Sequence, residues 1–473
     1  MAFHCPNGPS TTAWARKTFI CALVLISAWA AGPRCALAQD GTSANGIPDK
    51  SIAAILPQNG DPDGSRKALA ARGITYELNY VGEVQGNVSG GLSRGVTYIG
   101  RLEGVVDVDL AKVAGWRGLA LHANGFQIHG DGLSRENIGN LLTVSYIEAL
   151  PSTRLSELWL EQKALGDKVA LRFGQLAADT EFNTSSYATQ FINSTFGWPA
   201  IMAADLPSGG PAYPFATPGV RIKLDPDKHT SLLLGVFNGD PAGPGPGDPQ
   251  TRNRYGLNFR VQDPAFVIAE GQYRYNQEKT AAGPAGTIKL GAWRHFGRFD
   301  DQRFDSNGVS LADPASTSDP ARRRGDHGLY AVIDQQMWRP PSGEANKGVG
   351  IFARASASPA DRNLIDLYFD GGIVFAGLVP GRPDDVLSFG AARARISSRA
   401  RELDADAAAL SGSGLIRDFE ALFEANYQIQ VLPGLQVDLD LQRIIHPGGN
   451  IAGPGGAAIP DATVLTLHTF IKY

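Results

Sequence analysis

Apolar and polar residues alternate with a period of two along most of the chain after residue 73. In the first such run, Ile74, Tyr76 and Leu78 are separated by Thr75 and Glu77. Successive side chains of a β-strand point to opposite faces, so each run predicts a strand with one apolar and one polar face. About 17 strands are predicted in this way, near residues 74–80, 98–109, 118–128, 157–163, 169–173, 219–225, 230–238, 253–262, 265–275, 287–296, 327–338, 348–358, 365–377, 386–396, 419–431, 435–442 and 463–473.

Long amphipathic strands suit two architectures. A soluble sandwich hides its apolar faces inside, whereas an outer-membrane barrel turns them towards lipid and keeps a polar lumen. Many of the runs extend over 10–13 residues. That length matches the roughly 9–11 residues that cross a bilayer at a tilt, while soluble strands peak at about 5–6. We therefore expect an all-β fold, a transmembrane antiparallel β-barrel, with a soluble exported β-protein as the alternative.

The last predicted strand ends on an aromatic residue. Leu465, Leu467, Thr469, Ile471 and Tyr473 share one face up to the final position of the chain. An amphipathic last strand with a terminal aromatic residue is typical of outer-membrane barrels. This ending predicts recognition by the barrel-assembly machinery through Tyr473.

Residues 1–38 are predicted to be a cleaved signal peptide. Arg16 and Lys17 precede a short apolar stretch, and a small-x-small pattern ends at Ala38. This order of basic, apolar and small residues is that of a secretory signal, and cleavage would make Gln39 the first mature residue.

Removing that segment changes the composition of the chain. All 3 cysteines lie in it, and the remaining 435 residues carry 40 basic and 47 acidic residues instead of 43 and 47. An exported chain without cysteine points beyond the inner membrane, to the periplasm, the outer membrane or the exterior of a Gram-negative cell. No run of about 18 apolar residues predicts a transmembrane helix in it. We divide the mature chain into a periplasmic lead-in, residues 39–72, with a short helix from Ser65 to Arg72, and a barrel domain, residues 73–473.

One long segment lacks the alternation. Residues 177–218 contain many aromatic residues, which favours packing over exposure, and about 40 residues are too many for an idle connection. We expect this segment to fold at least partly into the barrel and narrow its pore. The more polar segments 297–326, 397–416 and 446–461 are expected to be solvated external loops.

No motif of covalent or metal chemistry is found. The mature chain has no cysteine, no HExxH zinc motif and no phosphate-binding loop, and its histidines are scattered. The near balance of charges gives no reason to expect nucleic-acid binding. The sequence therefore predicts neither a cofactor, nor a metal, nor an enzyme, although a barrel hydrolase with dispersed catalytic residues is an alternative.

A polar lumen can select its solutes. Sugars are neutral and rich in hydroxyls, so a site for them needs donors, acceptors and flat apolar faces. Residues of these kinds are predicted to face inward or to lie in the inserted segment, and we take as pore and substrate-binding candidates Arg101, Glu103, Asp107, Trp159, Glu161, Arg172, Asp179, Glu181 and Asn193.

A set of short motifs carries a family resemblance. Among them are Gly115-Trp116-Arg117-Gly118, Arg154-Leu155-Ser156-Glu157-Leu158-Trp159-Leu160-Glu161-Gln162, Leu171-Arg172-Phe173-Gly174-Gln175, Phe191-Ile192-Asn193-Ser194, Val236-Phe237-Asn238-Gly239-Asp240-Pro241 and His446-Pro447-Gly448-Gly449. With them, the chain from about residue 64 to its end resembles the carbohydrate-selective porin family, the OprB-like outer-membrane porins. It departs from the family pattern at Arg443, where an aromatic residue is expected, and at Tyr473, where phenylalanine is commoner.

The resemblance implies a 16-stranded barrel with loops folded into the channel, through which glucose and related sugars diffuse passively. Its partners would be sugars as permeants and the lipid and lipopolysaccharide of the outer membrane. A general cation-preferring porin is the main alternative, because the mature chain has an acidic excess. The sequence leaves the oligomeric state open, a homo-oligomer included.

Overall fold

A computed structural model describes residues 45–48, 50–278, 281, 283–341 and 347–473 of the protein. These residues form sixteen strands. The predicted signal peptide and the cleavage position between Ala38 and Gln39 lie outside these residues. The strands are β1 (Ile74–Ser89), β2 (Gly95–Asp109), β3 (Leu119–Gly130), β4 (Ser152–Ala164), β5 (Val169–Leu176), β6 (Thr217–Leu224), β7 (Thr230–Asn238), β8 (Ala265–Tyr275), β9 (Gly286–Asp305), β10 (Pro320–Trp338), β11 (Gly348–Ala357), β12 (Ile365–Ala376), β13 (Val386–Ile396), β14 (Phe419–Leu432), β15 (Leu435–Ile445) and β16 (Ala462–Lys472).

Helices are few and short. They are α1 (Ser65–Ala71), α2 (Leu110–Ala114), α3 (Ala200–Asp205), α4 (Pro249–Arg252), α5 (Ser398–Ser411) and α6 (Pro447–Asn450). The predicted N-terminal helix is thus confirmed as α1. None of the helices in the described residues has the length and apolar character needed to cross a membrane.

The strands close into one antiparallel barrel. Each strand pairs with its neighbour in sequence, and β1 pairs with β16, where Gly82 faces Thr469. Closure leaves no free sheet edge. The all-β barrel is therefore confirmed, with the 16 strands that the resemblance implies.

The two ends of the barrel differ. Short connections, such as residues 165–168 and 433–434, lie at the same end as the beginning of β1 and the end of β16. We call this the turn end. The opposite end, the loop end, carries the long connections 131–151, 177–216, 239–264 and 397–418.

The predicted strand at 253–262 is wrong, since this segment is a loop. Its Tyr255 carbonyl accepts from the Leu155 backbone N–H of β4 at 3.0 Å, and its Gly256 carbonyl accepts from the side-chain amide Nε2 of Gln175 at 2.9 Å. Gly256 has a φ of +67°, and a Cβ there would lie 1.9 Å from the Leu155 carbonyl oxygen. The alternation is real, but the segment only covers the edge of β4 beyond the end of β5 and forms no ladder.

Two predicted loops are also partly regular. Strands β9 and β10 continue into the segment 297–326 as a charged hairpin that ends near residues 305 and 320. Within 397–416, α5 begins after Ser397, whose side chain accepts from the Ala400 backbone N–H, and ends at Gly412. Arg303 of β9 binds α5 through Asp406 at 2.8 Å.

The barrel interior is not uniformly polar. Many inward side chains of β7 to β12 are apolar and buried, and they pack against buried side chains of the inserted segment 177–216. The strand side contributes Phe237, Phe266, Ile268, Trp293, Val332 and Phe352, and the segment contributes Phe182, Phe191, Phe196, Trp198, Met202 and Leu206. One side of the lumen is therefore a dry hydrophobic core, which leaves the channel to the other side.

The lead-in segment is bound to the C-terminus. Arg66 of α1 is buried and donates to the carbonyls of Gly46 and Tyr76, both at 2.9 Å. Its guanidinium carbon lies 4.6 Å from the ring centre of Tyr76 and 4.9 Å from that of Tyr473. The Tyr473 hydroxyl also donates to the Gly60 carbonyl at 2.7 Å. Residues on both sides of the β1–β16 closure are thus held by one arginine.

Candidate functional site: the channel through the barrel

Carboxylates on the barrel wall hold the inserted segment 177–216 by its backbone. Glu270 accepts from the Asn183 N–H at 2.8 Å, and Glu424 accepts from the N–H groups of Ile192 and Asn193 at 2.6 and 3.2 Å. Asp334 accepts from the Ser186 N–H at 2.9 Å in the same way. Because buried N–H groups need acceptors, these strand residues fix the segment inside the barrel.

A buried arginine fastens the middle of the same segment. Arg354 of β11 pairs with Asp370 of β12, and both side chains are fully buried. Arg354 also donates to the carbonyls of Asn183 and Thr195, both at 2.9 Å, and to that of Gly197 at 3.2 Å. The guanidinium thus satisfies three segment carbonyls at once, a use that suits its five donors.

A second connection, residues 131–151, also enters the lumen. Glu420 of β14 accepts from the N–H groups of Leu141 and Leu142 at 2.8 and 2.7 Å. Within the connection, Glu148 accepts from the Ser134 N–H at 3.1 Å and from its hydroxyl at 2.9 Å. Burial raises the pKa of Glu148 to about 7.

A cavity of about 870 Å³ lies between the two inserted connections and the walls of β2 to β4 and β14 to β16. Its size lies within the range of small-molecule sites. Both hydrogen-bond donors and acceptors line it together with aromatic rings, and the lining includes Arg101, Glu103, Asn124, Phe126, Tyr146, Glu148, Asp179, Tyr213, Gln428, Gln436, Asp438 and His468.

Arg101 is the central cation of this cavity. Its guanidinium carbon lies 4.9, 5.7 and 5.3 Å from the ring centres of Phe126, Tyr146 and Tyr213. Its ion pair with Glu103 is loose, at 3.6 Å, and its Nε has no hydrogen-bond partner. The rings therefore hold the arginine in place, and its side chain stays 13% exposed at the cavity.

A buried histidine and two carboxylates complete one wall. His468 Nδ1 lies 3.0 Å from Glu83, whose carboxylate also accepts from the Ser145 hydroxyl at 2.9 Å. Asp438 lies directly across the ladder from His468. The serine bonds to the acid and not to the imidazole, so these groups lack the relay of a serine hydrolase.

Trp159 is enclosed on both faces. The His122 ring stacks on it at 4.6 Å between centres, and the Arg172 guanidinium carbon lies 3.7 Å from its ring centre. Asp107 orients this stack by bonding to His122 Nδ1 at 2.7 Å. Since both faces are covered and the unpartnered Nε1 is buried, Trp159 offers little surface to a solute.

Four charged residues form a closed network beside this stack. Arg221, almost fully buried, binds Glu161 and Glu181, both at 2.7 Å. Arg172 binds Glu161 at 3.0 Å and Glu181 at 3.6 Å. The two cations and two anions neutralise each other, so the network ties the start of the inserted segment to β4, β5 and β6.

The remaining two candidates belong to the inserted segment. Asp179 is buried and accepts from the Tyr213 N–H at 2.8 Å, and burial raises its pKa to about 7. Asn193 donates to the Leu142 carbonyl and to Gln442, both at 3.0 Å. Of the nine candidates, Arg101, Glu103, Asp179 and Asn193 line the cavity. Asp107, Trp159, Glu161, Arg172 and Glu181 lie in the two neighbouring clusters.

Sequence reasoning missed part of the lining. Tyr146 lies in the connection 131–151, whose insertion no alternation signals, and only its apolar residues hinted at burial. Tyr213 lies in the segment expected to fold inward, and Asp438 and His468 occupy inward positions of alternating strands. Those two could have been included by the same rule that selected Arg101. No group of three His, Asp or Glu side chains is placed to hold a metal ion in the part of the chain that the structure describes.

Together, the closed barrel, the two inserted connections and the mixed polar cavity define a channel protein. The family model described as "Carbohydrate-selective porin, OprB family" matches residues 93–473, so the chain belongs to the OprB family of carbohydrate-selective porins. The chain is a passive carbohydrate channel of the outer membrane. In such barrels the short turns face the periplasm and the long loops face outward, which orients the turn end and the loop end.

Individual relatives agree with this assignment. Porin B of Pseudomonas aeruginosa is 25% identical over 409 residues, which cover 82% of this chain and 87% of Porin B. The high-pH structure of Pseudomonas putida OprB superposes with a TM-score of 0.77 at 23% identity and covers 88% of this chain and 98% of that one. The low-pH structure of the same porin gives a TM-score of 0.51 at 19% identity, over 90% and 98% of the two chains. Both structures share the fold described above.

Proposed function

We propose that the channel prefers neutral, glucose-like monosaccharides and that the cavity around Arg101 is its selective constriction. The observation that carries this is the guanidinium held among three aromatic rings in the lining of the cavity, beside the carboxylate of Glu103. A sugar presents hydroxyls that both donate and accept, and C–H faces that pack on rings. A cavity with charges of both signs and aromatic walls answers each of these properties.

Glucose block of the ion current tests this role. Purified channels in planar bilayers are titrated with glucose, and the concentration that halves the current is measured. Arg101→Gln removes charged donors worth about 1–2 kcal/mol, so we expect roughly 5- to 30-fold weaker block. Arg117→Gln, the same change at an exposed position of a periplasmic turn, is the matched control and should leave the block unchanged. Equal block in wild type and Arg101→Gln would refute the assignment.

The general cation-preferring porin is separated by the reversal potential in a KCl gradient. Strong cation preference without any glucose block would favour that function. Faster swelling of proteoliposomes in glucose than in a zwitterion of similar size supports sugar preference, and equal rates contradict it.

We further propose that the chain is cleaved by signal peptidase and that Tyr473 is recognised during its insertion into the membrane. Residues 1–38 act as the signal peptide, with cleavage between Ala38 and Gln39, residues 39–72 form the lead-in, and residues 73–473 form the barrel. Mass spectrometry of the mature protein tests the cleavage position. Deleting Tyr473 should slow insertion by the barrel-assembly machinery, and insertion at the normal rate would refute its role as a signal.

A further inference from the structure

An arginine patch lies on the outer surface of the barrel, near its loop end. Arg294 and Arg298 of β9 and Arg324 of β10 are exposed, while the alternate residues His295 and Phe299 are buried inside. The patch therefore faces away from the channel and takes no part in sugar passage.

The register brings like charges together. Arg298 and Arg324 are direct cross-strand partners, and Arg294 is the partner of His327, which is also exposed. Like charges directly opposite each other destabilise a sheet. Two arginines at such a position need an anion to offset their repulsion.

The protein itself supplies no such anion. In the described part of the chain, no ion pair involves Arg294, Arg298 or Arg324. The Arg294 guanidinium lies 5.4 Å from the Phe296 ring centre and next to the Gly325 backbone, and neither supplies a negative charge. The neighbouring acids are engaged elsewhere, because Asp300 pairs with Arg322 and the buried Asp326 accepts from Asn363 at 2.7 Å. Asp301 is likewise buried and pairs with Arg323 at 2.6 Å.

Arg298 and its partner Arg324 lie at the height of a lipid headgroup layer, while Arg294, four residues lower on β9, lies at the upper part of the apolar band. Arg298 lies 12 residues beyond Gly286, where β9 begins at the periplasmic end. With a rise of about 3.3 Å per residue and a strand tilt of about 40°, it stands roughly 30 Å above that end, just beyond an apolar band about 25 Å tall. Below it the same face exposes apolar side chains, with Phe296 at 56%, Leu290 at 64% and Leu329 at 67%.

We propose that the arginine patch binds the phosphate groups of a phosphorylated lipid in the outer leaflet. Guanidinium groups match phosphate oxygens bidentately, and the acyl chains of the same lipid would lie on the apolar surface directly below. The continuity of the basic patch with this apolar band identifies a lipid, and not free phosphate, as the occupant. The bound lipid would offset the repulsion between Arg298 and Arg324.

The test is native mass spectrometry of the purified full-length barrel with added lipid A. Three probes are compared in the presence of a chelator: diphosphorylated lipid A, the same lipid without phosphates, and inorganic phosphate. The test variant is Arg298→Gln with Arg324→Gln. The control variant is Lys67→Gln with Lys228→Gln, which removes two charges from exposed periplasmic positions. Heat-dependent migration in gels verifies that every variant is folded.

We expect diphosphorylated lipid A to bind wild type and the control alike, at least tenfold more than it binds the test variant. Arg298→Lys with Arg324→Lys keeps the charges and should restore part of the binding. Equal binding to wild type and the test variant would overturn the proposal, as would equal binding of the lipid without phosphates. Displacement of the lipid by millimolar inorganic phosphate would show that the site serves free phosphate, which also overturns it.

Discussion

Replacing Arg354 by leucine should loosen the inserted segment and widen the channel. The change removes the partner of the fully buried Asp370 and the donor for the carbonyls of Asn183, Thr195 and Gly197. Breaking a buried ion pair on one side costs about 3–5 kcal/mol. That free energy corresponds to a shift of roughly two to nearly four decades in the local opening equilibrium of the segment.

Single-channel recording and liposome swelling measure the consequence. We expect Arg354→Leu to show larger and noisier conductance and to admit a trisaccharide such as raffinose that wild type excludes. Arg395→Leu is the matched control, because Arg395 of β13 pairs with Asp366 near the loop end and its side chain is 42% exposed. A folded Arg354→Leu channel with unchanged conductance and unchanged exclusion of raffinose would refute the reasoning.

A double replacement separates the loss of stability from the loss of the Arg354 contacts that hold the inserted segment. In Arg354→Leu with Asp370→Leu no buried charge is left unpaired, so stability should largely recover. The three segment carbonyls still lack their donor, so the wider conductance should persist. Recovery of wild-type conductance in the double variant would show that the unpaired Asp370, and not the missing carbonyl contacts, opens the channel.

Further outcomes are expected. Burial raises the pKa values of Glu148 and Asp179 to about 7, so lowering the pH from 8 to 6 should protonate both side chains. Reversal-potential measurements should then show a smaller cation preference at pH 6, and Glu148→Gln with Asp179→Asn should abolish this change. Because their folded pKa values lie above the unfolded ones, urea unfolding should also show a barrel more stable below this window than above it. Arg66→Ala removes two hydrogen bonds and two ring contacts at the barrel closure, so it should lower the free energy of unfolding by about 3 kcal/mol. Tyr473→Phe removes one hydrogen bond and should lower it by about 1 kcal/mol. Equal losses for the two variants in urea unfolding would contradict this. Gly256→Ala forces a side chain against a carbonyl at a positive φ, so limited proteolysis should cut the connection 239–264 faster than in wild type, and equal cutting would contradict the fit.

The strands could be predicted because one face of a barrel wall meets lipid and the other meets the lumen, which makes apolar and polar residues alternate. Arg101 and Glu103 were placed in the lumen by this rule alone. The rule failed where an apolar alternation had no partner strand, as at Tyr255 and Leu257, because register and pairing are tertiary properties. It also missed α5, whose polar sequence has no apolar stripe although the helix is mostly half-buried and Ser397 and Gly412 mark its two ends.

The hydrophobic core on one side of the lumen was indicated by consecutive apolar residues, a pattern that differs from alternation. Phe266, Val267 and Ile268 are consecutive apolar residues, which indicates a strand buried on both faces. The partner on the inner face was the aromatic segment 177–216. Reading the two together would have predicted a packed half-lumen, but nothing local could say which strands the segment covers, since those contacts join residues more than fifty positions apart.

The acidic excess of the chain is therefore a poor guide to the field in the channel. Glu270, Glu420 and Glu424 have their carboxylates occupied by backbone N–H groups of the inserted connections. Buried carboxylates of this kind serve as acceptors for the loops, and they present little charge to a passing solute. At the cavity itself, Arg101 stands beside Glu103, so positive and negative groups face the same space. The lining also contains Glu148, Asp179 and Asp438, but the Arg101–Glu103 pair offers a neutral polyol both donors and acceptors. The proposed preference for sugar over cations therefore depends on where the charges are used, and the total of acidic residues does not determine it.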